Sequence, residues 1–217
     1  MKKWILAAVL LLPWSGQAWG SIIYSIDRTV GDGWIRGTIT TNGGLGNLVL
    51  YDCDHPVECL PGKSFITDWT LTIFDGTGSF TLNRQNSGLW GHGKKPELNS
   101  TNFWATEQSL LYDFSSPGSA RFRYGEDWSG GPYWGLTHPS NSDSDIGPSE
   151  GLYAGPHAYE LPSEEYKEVF DERWQLEWRA PYEVIIGSAI ASVPGPGSMA
   201  LLAIGLAGLV GTRKLRN

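Results

Sequence analysis

Hydrophobic and polar residues alternate along short stretches of this chain with a repeat of two, the period of strands that bury one face. The clearest stretch is FITDWTLTIFDG, where Phe65, Thr67, Trp69, Leu71 and Ile73 share a face before Asp75-Gly76 turns the chain into GSFTLNR. Ahead of it, IIYSIDRTV, WIRGTITT and LVLYD read as strands of an antiparallel meander, joined by Gly31-Asp32-Gly33 and by Asn42-Gly43-Gly44. FWATE, SLLYDF, ARFRYG, RWQLEW and YEVIIGSAIA continue the series. Ser163 to Phe170 is expected as a short helix, with Ser163 as N-cap and Glu164 and Glu165 in the first turn. Two stretches rich in Gly, Pro, Ser and Asp, Gly88 to Ser100 and Gly125 to Pro162, read as long loops. Short strands punctuated by turn signals predict an all-β fold, an antiparallel β-sandwich or jelly roll.

The two ends follow another pattern. MKKWILAAVLLLPWSGQAWG places Lys2 and Lys3 before an apolar run from Trp4 to Leu12, then Pro13 and the small residues Ala18 and Gly20. That is the layout of a secretory signal peptide spanning residues 1–20, with cleavage expected after Gly20. As a helix the apolar run would cover only about half of a ~30 Å hydrocarbon core, which argues against a permanent anchor. At the other end, residues 193–217 join a Pro-Gly linker to an apolar stretch from Met199 to Val210 and a basic stop at Arg213, Lys214 and Arg216. Counted from Gly197 to Thr212, the stretch reaches about 24 Å as a helix, marginal for crossing. One short C-terminal membrane helix is expected here. Its basic end favours the cytoplasm, so the body, residues 21–192, is placed on the far side of the membrane, in agreement with the signal peptide.

Val193-Pro194-Gly195-Pro196, the short apolar helix and the terminal basic cluster together resemble the PEP-CTERM sorting domain. The resemblance covers about the last 25 residues. It implies recognition by an exosortase, a membrane-embedded processing enzyme, with cleavage near the Pro motif and release or transfer of the body. The family pattern has Glu between its two prolines, where this chain has Gly195. The implied route runs through the secretion machinery and across the inner membrane of a Gram-negative-type bacterium. A transient stay at that membrane ends at the cell surface or outside it.

Charge narrows the partners. The chain holds 16 Lys and Arg and 23 Asp and Glu; five of the cations lie in the terminal segments and every acid lies in the body, whose formal charge is therefore −12. A surface so acidic repels phosphate backbones and disfavours nucleic acid as a partner.

Candidate chemistry in the body is sparse. Cys53 and Cys59 are the only cysteines, and in an exported protein a pair closing so small a loop reads as a disulfide. No cofactor is expected unless Asn141, Asp143 and Asp145, spaced by two and followed by Gly147, hold calcium. Ile146 and Leu152 occupy the places where an EF-hand needs Gly and Glu, so the default reading is a solvated acidic loop. Gly147-Pro148-Ser149-Glu150-Gly151 matches G-x-S-x-G as a string, but its polar, Pro-containing flanks do not supply the strand-to-helix turn of a nucleophile elbow. Glu164, Glu165, Asp171, Glu172 and Glu177 could furnish a carboxylate pair for glycoside hydrolysis, a pairing defined by distance rather than spacing. Of eight Trp in the body, Trp34, Trp69, Trp174 and Trp178 fall on strand patterns and are expected in the core. Trp90, Trp128 and Trp134 fall in Gly-rich stretches, where an aromatic face could stack on sugar rings or cover the end of the fold.

The expectation is thus an exported, exosortase-sorted envelope or matrix protein with a structural or interaction role that contacts exopolysaccharide. The rival is a secreted carbohydrate-active enzyme.

Overall fold

The computed structural model describes residues 20–49, 64–93, 100–125, 130–138, 147–179 and 182–193. The chain opens with β1 (Ser21–Val30), β2 (Gly33–Thr41), β3 (Gly46–Val49), β4 (Ser64–Phe74) and β5 (Ser79–Asn83). It continues with β6 (Ser87–Gly93), β7 (Ser100–Ala105), β8 (Ser109–Asp113), β9 (Gly118–Tyr124), β10 (Tyr133–His138) and β11 (Ser149–Tyr153). A 3-10 turn at Ala158–Glu160 and one helix, α1 (Ser163–Arg173), precede β12 (Gln175–Trp178) and β13 (Glu183–Val193).

The all-β expectation holds, and the larger sheet goes further by closing on itself. Its order is β2-β1-β13-β8-β7-β3-β4-β5, and β2 also pairs with β4, so seven strands form a closed barrel with β5 outside the ring. Closure follows from β2 using both its edges: Trp34 lies opposite Thr29 of β1 and Phe74 of β4, and the pairing runs on to Thr41. A ring of this kind leaves fewer open edges than the expected sandwich or jelly roll. A second sheet, ordered β12-β11-β10-β9-β6, shares the core. Ile26, Ile35, Ile39, Leu71 and Phe103 from the first sheet pack in one cluster with Phe122, Trp134, Leu136 and Leu152 from the second. Trp69 and Phe103 both meet Phe122 edge-on, at 5.6 and 6.4 Å between ring centres.

Three local expectations from the sequence are corrected. In β4 the register shifts opposite Thr40 and Thr41, so Ile66 points inward while Phe65 and Thr67 do not share the face of Trp69, Leu71 and Ile73. The stretches read as loops contain three strands, β6, β10 and β11, whose Gly content masked their period. The helix runs three residues past its expected end, and Pro162 rather than Ser163 holds its N-cap position without a side-chain cap. Among the described residues no helix is long and apolar enough to cross a membrane. Residues 1–19 and 194–217, which carry the expected signal peptide and membrane helix, lie outside them.

The end of α1 is tied to the turn between β4 and β5 by a buried carboxylate. Asp75 accepts two bonds from Arg173, at 2.9 and 3.1 Å, and others from the backbone N–H groups of Thr77, Gly78 and Ala154. Burial opposes ionisation of Asp75, but Arg173 and those N–H groups outweigh it and hold the carboxyl below its ordinary range. The resulting stability is complete above the unfolded-state value, about pH 4, and is lost as the pH falls through the lower native value. Asp75→Asn is therefore expected to cost about 3 kcal/mol in urea unfolding at neutral pH. The gap from wild type should narrow below about pH 4, and a gap independent of pH would contradict the ionic origin.

Candidate functional site on the second sheet

Strand alternation sorts the second sheet into two faces. Phe122, Trp134, Leu136, Glu150 and Leu152 point inward and are fully buried. Their neighbours in sequence, Arg121, Arg123, Tyr133, Gly135, Gly151 and Tyr153, take the outer face. A carboxylate among the inward residues is the anomaly, and it is fully compensated. Arg28 on β1 donates to both oxygens of Glu150, at 2.9 and 2.5 Å. Arg179, just past β12, donates twice to Oε2, and Trp134 Nε1 donates to Oε1 at 3.0 Å. Arg28 also reaches the Ile185 carbonyl of β13, and Arg179 bridges to Glu177. Two arginines and two glutamates thus form a neutral set that holds the sheet against the barrel.

On the outer face, α1 covers β10 and β11. Phe170 packs on Tyr153 at 4.9 Å and on Tyr133 at 6.5 Å, and Trp174 lies over Gly151. Burial raises the hydroxyl pKa values of Tyr133 and Tyr166, and burial with the neighbouring Tyr166 pushes Tyr153 up to about 12. These phenols stay neutral at physiological pH and offer hydrogen bonds rather than charge.

Beyond the helix, β9 and β6 carry the exposed part of this face. Trp90 lies directly opposite Arg121, and Gly88 opposite Arg123. Trp90 is 40% exposed. Arg121 is exposed as well, and among the described residues it forms no ion pair. Glycine keeps the floor low: a Cβ on Gly88 would come within 2.8 Å of the Trp90 indole nitrogen, and one on Gly135 within 3.2 Å of Arg121 Cγ. The indole and the arginine stem therefore lie flat across the backbone.

This geometry separates the residues expected to contact glycans. Trp90 is accessible, though it belongs to strand β6 rather than a loop. Trp134 does not belong with it: it is fully buried on β10, stacked on Phe122 at 5.3 Å with its N–H held by Glu150, and cannot reach a ligand. Trp128 lies outside the described residues, as do Cys53, Cys59, Asn141, Asp143, Asp145, Pro194, Gly195, Pro196, Arg213, Lys214 and Arg216. Val193 ends β13, opposite Ser21. The G-x-S-x-G string runs into β11, where Ser149 is buried in a strand paired on both sides. Of the acids considered for glycoside hydrolysis, Glu164, Glu165, Asp171 and Glu172 ride on the exposed side of α1, where Lys167 pairs with Asp171, and Glu177 engages Arg179. Trp178, expected in the core, is 57% exposed at the end of β12.

No family model, no curated protein and no solved structure matches the chain. Arg121, Tyr133 and Glu150 escaped the reading of the sequence. The two arginines flanking Phe122 in ARFRYG were a usable signal, because alternation about a buried Phe places both on one outer face. Glu150 gave no such signal, since its partners come from residues 28 and 179.

The two tryptophans should part in a stability test. Trp134→Ala is expected to cost roughly 3–5 kcal/mol in chemical unfolding, as core aromatic truncations do. Trp90→Ala should stay within about 0.5 kcal/mol of wild type.

Proposed function

We propose that this chain is an exported, exosortase-sorted envelope protein whose body has an interaction role outside the cell, contacting extracellular polysaccharide through the outer face of its second sheet. The observation that carries the contact is Trp90, 40% exposed and laid flat over a glycine on a paired strand. A sugar ring presents an apolar C–H face that stacks on such a surface, while polar neighbours take its hydroxyls. A site on sheet strands holds its geometry better than one on loops. The sorting part of the reading rests on the two terminal patterns, and the pairing of Ser21 with Val193 supports it. The segments expected to be processed flank one end of one strand pair, so a body held by either would be held at the same pole.

The enzyme reading has weaker support. Among the described residues the buried carboxylates Asp75 and Glu150 are each engaged by arginine, and neither faces Trp90. Polysaccharide isolated from the native host should be retained by the wild-type protein in affinity electrophoresis and much less by Trp90→Ala. Turnover of that polysaccharide, lost on replacing a body acid, would favour the enzyme instead. Intact mass of protein from the host should show loss of the chain beyond Val193 to Gly197, and retention of that chain in a host lacking the exosortase. A mature species still carrying Arg213 to Asn217 in the unaltered host would refute the sorting assignment.

A further inference from the structure

We infer that the polysaccharide recognised by this face is acidic, and that the Arg121 guanidinium reads its sugar carboxylates while Trp90 stacks on a ring. The inference rests on the polysaccharide reading above and adds the class of ligand.

Arg28 and Arg179 are committed to Glu150, Arg36 to Asp27 and Arg173 to Asp75. Arg84 donates to the Thr67 carbonyl. Each is consumed by the fold or by a neighbour on its own surface. Arg121 differs: it is exposed and makes no ion pair among the described residues, although the body holds 23 acids. A neutral glycan would gain nothing from it that an amide could not give. A guanidinium instead presents paired N–H donors in the spacing of a carboxylate, and the resulting bidentate bonds are about twice as strong as neutral ones.

Placement makes the pair usable. Arg121 and Trp90 are directly opposed across an antiparallel pair, which sets their Cβ atoms about 5 Å apart on one face. A pyranose ring is about that wide, so a ring on the indole brings its carboxyl substituent toward the guanidinium. Because the indole lies over Gly88 and the arginine stem over Gly135, neither stands high above the sheet to obstruct a saccharide laid across it. The acidic body repels any polyanion at long range, as it does a phosphate backbone, but charges beyond about 8 Å are largely screened at physiological ionic strength, so the local contact with Arg121 decides between a carboxylate and its ester.

The test uses the full chain with polygalacturonate, its fully methyl-esterified form and neutral dextran as probes, read by isothermal calorimetry or affinity electrophoresis. Wild type should bind polygalacturonate at least about tenfold tighter than either neutral polymer, each charge-assisted contact being worth that much. Arg121→Gln should remove most of that preference by lowering affinity for polygalacturonate far more than for the esterified form. Arg121→Lys, which keeps the charge without the fork, should retain part of it. Trp90→Ala should weaken binding to both forms, and Gly88→Ala, which displaces the indole without deleting it, should do so to a smaller degree. Near-ultraviolet dichroism and melting temperature confirm that each variant is folded. Equal affinity for the acid and esterified polymers, with Trp90→Ala still weakening both, would overturn the acidic assignment and leave the polysaccharide reading intact. Binding neither to any of the three nor to the host's own polysaccharide would overturn both.

Discussion

The carboxylate of Glu150 is the constraint on which the arrangement of this protein depends. A charge with no solvent exposure is tolerated only when its oxygens are filled by charged or polar donors, and three side chains from separate parts of the chain fill these. Arg28 brings in the barrel, Trp134 the neighbouring strand, and Arg179 the segment after the last strand of the second sheet. The set specifies register as much as it stabilises. A slip of one residue in β11 would turn Glu150 to solvent and Gly151 or Ser149 inward, stranding two arginines and an indole N–H. Every outward residue of the second sheet takes its side from that choice.

The outer face inherits its rigidity from the same source. Because the inward residues are packed and hydrogen-bonded, the residues between them cannot rotate to the other side. Arg121 is fixed outward by Phe122, and Tyr133 by Trp134. The helix adds a second restraint. Its last residue, Arg173, is bound to the Asp75 turn, so the aromatic row Tyr166, Phe170 and Trp174 is laid along β10 and β11 and leaves β9 and β6 uncovered. The two buried carboxylates thus divide the work: one sets which side faces out, the other how much of it is covered.

What could be read from the residues alone follows the same division. Strands with branched or aromatic residues at every second position, such as β1, β2 and β4, were legible, and so was the hairpin at Asp75-Gly76, since both signals are local. Of the strands that build the outer face, β9 and β12 were legible too, but β6, β10 and β11 were not. Gly88, Gly91 and Gly93 in β6, Gly135 in β10 and Gly151 in β11 remove the side chains from which a period is read, and Glu150 puts a polar residue where an apolar one is expected. Among these glycines, Gly88, Gly135 and Gly151 also flatten the outer face. Trp134 was misplaced for a related reason: its surroundings in sequence are glycine and proline, whereas its surroundings in space are Phe122 and Glu150. Barrel closure was out of reach as well, because it depends on β2 accepting partners from β1 and β4 together, a contact between distant segments.

The order of strands around the barrel also governs when the fold can exist. β13, the last of the described strands, is seated between β1 and β8, paired to each along much of its length. Until its residues arrive, the ring has a gap one strand wide, and the partners on either side of that gap have unsatisfied backbone edges. The ring therefore cannot close until β13 has been made. The same feature sets a hard limit on trimming: any protease acting upstream of the end of β13 would take out the stave that makes the barrel a barrel.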